Sequence, residues 1–304
     1  VITPEAVKGS KDSVDINIRV LDSWSLIPNG SFSPSATSIE VTERNFFGFG
    51  HEFRNDFDKR FTTGETAYLA QYRVPNIMNT YINAELNYQV LMTNSSLKSI
   101  AFQRGFFSAY TKWAGGVYFE ERLIRDSLPD REGIFAMQNM KSAQQEYWVG
   151  RAFNVFKGES EEDRTTNLVI TGRFNNINYK EMPSIEYDSI GFFRDERFYM
   201  GSVGITSRKF VQDKFLFNYD IVEDIPIGKV YSLTVGVQSK NDIKRLYTAG
   251  RYAFGNYYKW GFFSVNTEIG TFFNDGKAEQ AVLRLESMYF TNIRQWGRWR
   301  FRHF

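Results

Sequence analysis

The chain has 304 residues, enough for one large domain or two small ones, and its 37 basic and 35 acidic residues leave a net charge of +2. That near balance gives no electrostatic case for a nucleic-acid partner. The absence of cysteine removes disulfides and thiolate metal sites, and no apolar run of about 18 residues provides a membrane helix.

The first alternating segment spans residues 13–21, where Val14, Ile16, Ile18 and Val20 interleave with Asp15, Asn17 and Arg19. Pro28, Asn29, Gly30 and Pro34 interrupt the next stretch of chain. Residues 1–22 therefore read as the end of a preceding soluble module, and 23–304 as a second domain. Sheet-forming segments then succeed one another at 38–44, 51–57, 65–74, 81–92, 97–106, 112–123, 145–155, 168–179, 198–207 and 215–222. They continue at 230–239, 245–254, 262–273, 281–290 and 298–304. The clearest is 81–92, YINAELNYQVLM. There Ile82, Ala84, Leu86, Tyr88 and Val90 alternate with Asn83, Glu85, Asn87 and Gln89. A strand sends successive side chains to opposite faces, so this segment has one apolar and one polar face.

No core of ordinary size buries so many two-faced strands. A soluble sandwich also alternates, but with shorter strands and fewer Tyr and Phe on one face. The pattern predicts an all-β fold, an antiparallel transmembrane β-barrel of about 14–16 strands with lipid outside and polar side chains inside. The 29 Phe, 17 Tyr and 7 Pro suit long sheets with aromatic girdles. Joints are expected at Asn94-Ser95-Ser96 and Asn274-Asp275-Gly276, with longer ones at 124–132, 159–164 and 179–196. Residues 137–145 offer a short helix or a loop leading into the next strand.

From residue 13 to about Tyr88 the order of parts resembles the passage from the last periplasmic repeat into the barrel of BamA/TamA-like outer-membrane proteins. The family's tight turn after the second barrel strand is matched by Glu43-Arg44-Asn45-Phe46-Phe47-Gly48-Phe49-Gly50. Tyr72-Arg73-Val74-Pro75-Asn76 is similar to its strand ending in a proline-containing turn. The stretch GTFFNDGKAEQAVL at 270–283 looks like barrels of this superfamily from Bacteroidetes-type bacteria. The resemblance implies that residues 1–22 end a POTRA-like module and that Asn45, Phe46, Phe47, Gly48 and Gly50 form a periplasmic turn. It implies a place in the outer membrane of a Gram-negative bacterium and assistance in inserting or translocating outer-membrane proteins. The implied partners are outer-membrane lipids and lipopolysaccharide, unfolded outer-membrane protein substrates, and periplasmic or lipoprotein accessory subunits. No catalysis and no cofactor are implied.

The family's late Arg-Gly-Phe loop has no counterpart at the matching place, since Arg104-Gly105-Phe106 comes early and within an expected strand. Phe304 shares its parity with Arg298, Arg300 and Arg302, opposite Trp299 and Phe301. Both features predict a fragment of a longer chain. Pro28 and Gly30 weaken the segment 25–33, which is the expected lateral-gate strand. A passive porin or transporter and a surface-adhesion barrel remain the alternative functions.

Other chemistry finds little footing. His51 and His303 read as incidental strand residues, and Gly48-Phe49-Gly50 lacks the Lys-Ser/Thr and helix of a phosphate cradle. There is no G-x-S-x-G elbow. Glu120 and Glu121 should point to opposite faces, and Glu161, Glu162 and Asp163 should lie in a loop. Arg294, Arg298, Arg300 and Arg302, near Trp296, Trp299 and Phe301, invite a stacking platform for nucleic acid. Lumen-facing arginines opposite lipid-facing aromatics explain the same letters. Lumen Arg and Glu, such as Arg284 with Glu286 or Arg251 with Glu268, can pair inside a barrel.

Overall fold

The computed structural model describes residues 2–6, 13–18, 20, 24–158, 160–216 and 222–304. β1 (Ile2–Ala6) and β2 (Val14–Ile18) form a separate antiparallel pair. The rest of the tail read over 1–22 lies outside the described residues, apart from Ser13 and Val20. Fourteen strands then make one antiparallel sheet in sequence order. They are β3 (Leu26–Phe32), β4 (Ala36–Phe46), β5 (His51–Arg60), β6 (Thr66–Val74), β7 (Asn83–Val90), β8 (Ser96–Arg104) and β9 (Trp113–Pro129). The others are β10 (Phe135–Asn154), β11 (Thr166–Glu181), β12 (Glu196–Lys214), β13 (Val222–Lys240), β14 (Ile243–Tyr258), β15 (Gly261–Asn274) and β16 (Lys277–Thr291). β17 (Arg294–Trp296) and β18 (Trp299–Phe301) form a terminal hairpin off the sheet. A one-turn helix, α1 (Glu161–Thr165), sits between β10 and β11.

The chain is all-β, and its sheet has the expected up-and-down order. β3 and β16 are the two edges, and among the described residues no ladder joins them. Alternation sorts each strand into two faces. In β7, Leu86 and Tyr88 are exposed, while Glu85 and Asn87 are hydrogen-bonded on the opposite side. Directly opposite residues of a ladder share a face. The register therefore extends the apolar face from Tyr88 through Tyr68 to Phe57 and Ile39 in one direction. In the other it runs through Phe119, Tyr147, Phe174 and Tyr199 towards Leu233, Ile269 and Leu283. Many of these side chains stand well exposed, Ile269 at 59% and Leu283 at 70%. No second sheet of comparable size covers them, since the other two sheets are two-stranded.

The main-chain hydrogen bonds of the ladder are what this architecture rests on, because no large buried core exists among the described residues. The one apolar cluster is Leu216, Ile225, Phe262 and Phe290, with Ile227 and Tyr257 against it. It lies where β12 and β13 run on past the end of β11. There the alternation reverses. Tyr231 and Leu233 are exposed, yet Ile225 of the same parity is buried. Gly228 lies between them at φ 130°, and a Cβ there would sit 1.8 Å from the Ser207 carbonyl oxygen. Only glycine lets the two strands pass this close while the backbone turns its faces over.

Several sequence expectations need correction. Residues 137–145 belong to β10, neither helix nor loop, because β9 and β11 supply ladder partners on both sides. β9 runs through the expected joint at 124–132 and stops at Pro129, which has no N–H to continue a ladder. The segment 215–222 is not a strand of its own. β12 reaches Lys214, β13 begins at Val222, and 217–221 lie outside the described residues. Residues 298–304 contribute only the three-residue β18. Trp296 ends β17 opposite Trp299, with Gly297 and Arg298 making the turn. Asp163 falls in α1 and not in a loop. Gly105 and Phe106 follow β8, so Arg104 alone of that triplet is in a strand.

Candidate functional site

The Asn45–Gly50 stretch is a tight turn between β4 and β5. Phe47, Gly48 and Gly50 take positive φ values of 52°, 78° and 70°. The Gly48 N–H donates to the Asn45 carbonyl at 2.8 Å, and the Gly50 N–H donates to Asn45 Oδ1 at 2.7 Å. Phe46 packs against Phe53 at 5.1 Å and edge-on to Tyr72 at 6.0 Å. Asn45 and Phe46 end β4, and Phe47, Gly48 and Gly50 make the turn that follows. Asn45→Ala removes the side-chain acceptor and is expected to cost about 0.5–1.5 kcal/mol, readable as a lower denaturant midpoint.

Pro28 and Gly30 lie in β3, opposite Val41 and Ile39 of β4. The strand has only seven residues, all of them exposed, and it pairs on one side alone. Proline supplies no donor, so its free edge is short of one N–H. At the other edge, β16 offers fifteen residues, almost all exposed. Turn motif and gate residues are not brought to one point: the motif closes β4 and β5, and the gate residues lie in the neighbouring edge strand.

The polar face carries a belt of ion pairs running from strand to strand. Arg54 reaches Glu40 and Asp56, Arg73 reaches Glu52 and Glu85, and Arg122 meets Glu120. Arg173 pairs with Glu146 at 3.3 Å, Lys240 with Glu196 at 3.2 Å and Arg251 with Glu268 at 3.2 Å. Arg284 and Glu286 also pair, so both pairs expected from the sequence form. Most of these groups are half-exposed, and such pairs contribute about 0–1 kcal/mol each. Their role is to make the surface polar and ordered, more than to hold the sheet. Glu120 and Glu121 do point apart: Glu120 is buried against Tyr118 and Arg122, whereas Glu121 binds Lys180 at 2.8 Å on the apolar side. Lys98, Glu121, Lys141 and Lys180 form a charged rim where the apolar band ends.

The terminal hairpin closes one end of the polar face, the end that also carries the Asn45–Gly50 turn. Arg302 donates to Asp213 Oδ2 at 2.8 Å, and the Tyr257 hydroxyl donates to the same oxygen at 2.9 Å. The Arg302 guanidinium lies 5.1 Å from the ring centre of Phe290, and Arg300 lies 4.9 Å from that of Phe215. The Arg302 side chain, just past the end of β18, is therefore a buried anchor, while Trp296, Trp299 and Phe301 are exposed. Asp213 and Tyr257 carry no local sequence signal, because their partner is far along the chain.

His51 shares a 2.6 Å hydrogen bond with the Tyr72 hydroxyl, and His303 meets Thr291 through its main chain. Among the described residues, no three or more His, Asp or Glu side chains converge as metal ligands would. No protein-family model matches the chain, and no curated protein matches it.

Proposed function

We propose that the fourteen-stranded sheet is the wall of a transmembrane β-barrel in the outer membrane of a Gram-negative bacterium. On this reading the protein assists assembly of outer-membrane proteins at the seam between β3 and β16. The observation that carries the first part is the pair of unlike faces. An apolar face running from Ile39 to Leu285 far exceeds the few hundred Å² that water-soluble monomers tolerate as one patch. Hydrocarbon solvates such a face, and the ion-paired face then turns to an aqueous lumen. Backbone groups in hydrocarbon need partners, which favours closure of β3 against β16.

Support for the second part is the inequality of those edges. A seven-residue edge interrupted by Pro28 can pair only weakly with a fifteen-residue one. A weak seam can open and offer its main-chain groups to a substrate strand. Cysteines placed in β3 and β16 of the membrane-inserted protein are expected to form a disulfide that stops substrate assembly, with recovery on reduction. Normal assembly by the locked protein would refute the seam mechanism. Equal solute conductance locked or reduced, with no substrate assembled, would instead favour a passive pore lined by the ion-pair belt.

A further inference from the structure

Three glycines share one row on the apolar face. Ladder register places Arg104, Gly115, Val149, Gly172, Gly201 and Val235 directly opposite one another across β8 to β13. Glycine in a strand interior gives up packing and backbone stability, so it calls for a reason. On the polar face the reasons are visible: Trp148 fills the space above Gly116, Phe106 that above Gly150, and Phe198 and Met200 that above Gly236. Gly172 and Gly201 have none within the chain. Their φ angles are outside the positive range, and a Cβ at either would meet nothing within 4 Å.

The result is a trough of about 910 Å³ in the apolar face, within the range of about 300–1,000 Å³ usual for ligand sites. One wall is the aromatic row Tyr147, Phe174 and Tyr199, with Phe174 and Tyr199 stacked at 4.7 Å. From Gly115 to Val235 it crosses four strand spacings, about 19 Å at about 4.8 Å each. One end is cationic. Arg104 begins the row and donates to the Trp113 carbonyl, and the Arg151 guanidinium lies 4.7 Å from the ring centre of Trp113. Arginine and tryptophan together suit the level of lipid headgroups. This end lies on the side of the sheet where β3 begins and β16 ends.

We infer that the trough seats one acyl chain of a membrane phospholipid, with the lipid's phosphate held at Arg104 and Arg151. The inference rests on the membrane-spanning reading above. The lipid is a phospholipid because the cationic end offers two guanidiniums, beside Trp113, to a phosphate at headgroup depth. A chain laid across the five strands β9 to β13 would bridge the three longest ladders of the sheet and supply the contacts that the two glycines omit.

The full chain is folded into vesicles of phosphatidylethanolamine and phosphatidylglycerol, and insertion is scored by flotation and resistance to carbonate. Transfer to mild detergent and native mass spectrometry then count retained phospholipid. One phospholipid is expected on the wild type. The double variant Gly172→Leu/Gly201→Leu, which fills the floor, is expected to insert equally well and retain lipid about tenfold less, a loss of about 1.4 kcal/mol in binding. Arg151→Gln should weaken retention of phosphatidylglycerol, while Val203→Leu, beside the trough floor, should leave retention unchanged. Insertion without retained lipid, or equal retention by the filled variant, would overturn this inference alone. Failure of the wild type to insert would overturn the membrane reading and this inference with it.

Discussion

Arginine in place of Leu86 is expected to destabilise the membrane-inserted protein by about 2–4 kcal/mol, and arginine in place of Asn87 by much less. The two positions adjoin in β7 but face opposite ways. Leu86 stands on the apolar side between Tyr72 of β6 and Ile100 of β8. Asn87 donates to Glu85 and to Ser99 on the polar side. A guanidinium at 86 must sit in hydrocarbon or drag water and headgroups inward. At 87 it finds carboxylates already at hand, Glu85 among them. Reversible denaturation from vesicles measures both. Equal costs at the two positions would mean that both faces see the same solvent, and the membrane reading would fall. In a water-soluble sheet Leu86→Arg should cost little, since Leu86 is already 42% exposed.

That asymmetry is legible in the sequence because β7 alternates without a break, and the same holds for residues 230–238 of β13 and 283–286 of β16. Where alternation fades, legibility goes with it. Gln138, Gln144 and Gln145 spread polarity over both faces of β10, so period two is lost and the segment reads as a joint. Ladder partners on both flanks decide its conformation, and they are set by register and not by local pattern. The closing residues mislead for the opposite reason. Alternation of Arg298, Arg300 and Arg302 with Trp299 and Phe301 is real, but after Thr291 the chain pairs with itself in the β17–β18 hairpin and adds no strand to the sheet. Nor can the trough be read from the sequence. Gly115, Gly172 and Gly201 fall far apart along the chain and meet only through three successive ladders.

The most consequential contact that no local pattern foretells is the pair between Asp213 and Arg302, 89 residues apart. Replacing Asp213 by alanine is expected to cost about 3–5 kcal/mol, because it strands a charge already removed from water. The Arg302 side chain keeps 7% of its exposure, and among the described residues its Nε and Nη1 have no hydrogen-bond partner. Asp213 is thus the only carboxylate among the described residues that pairs with it. Arg284 and Glu286 provide the contrast: with side chains 60% and 50% exposed, that pair is solvated and contributes little. Glu286→Ala should therefore be nearly silent where Asp213→Ala is not. Beyond that pair the terminal segment is held by Phe304 against Phe290, Arg300 over Phe215, and His303 bonded to Thr291 through its main chain. Loss of the pair should release the whole terminal segment, leaving the sheet intact. Trypsin cutting at Arg298 and Arg300 reads the release as a faster cleavage rate, and the double change Asp213→Asn with Arg302→Met should restore much of the resistance by removing both charges. If Asp213→Ala resists trypsin as well as the wild type does, the hairpin is anchored by its aromatic contacts and the buried pair is incidental to it.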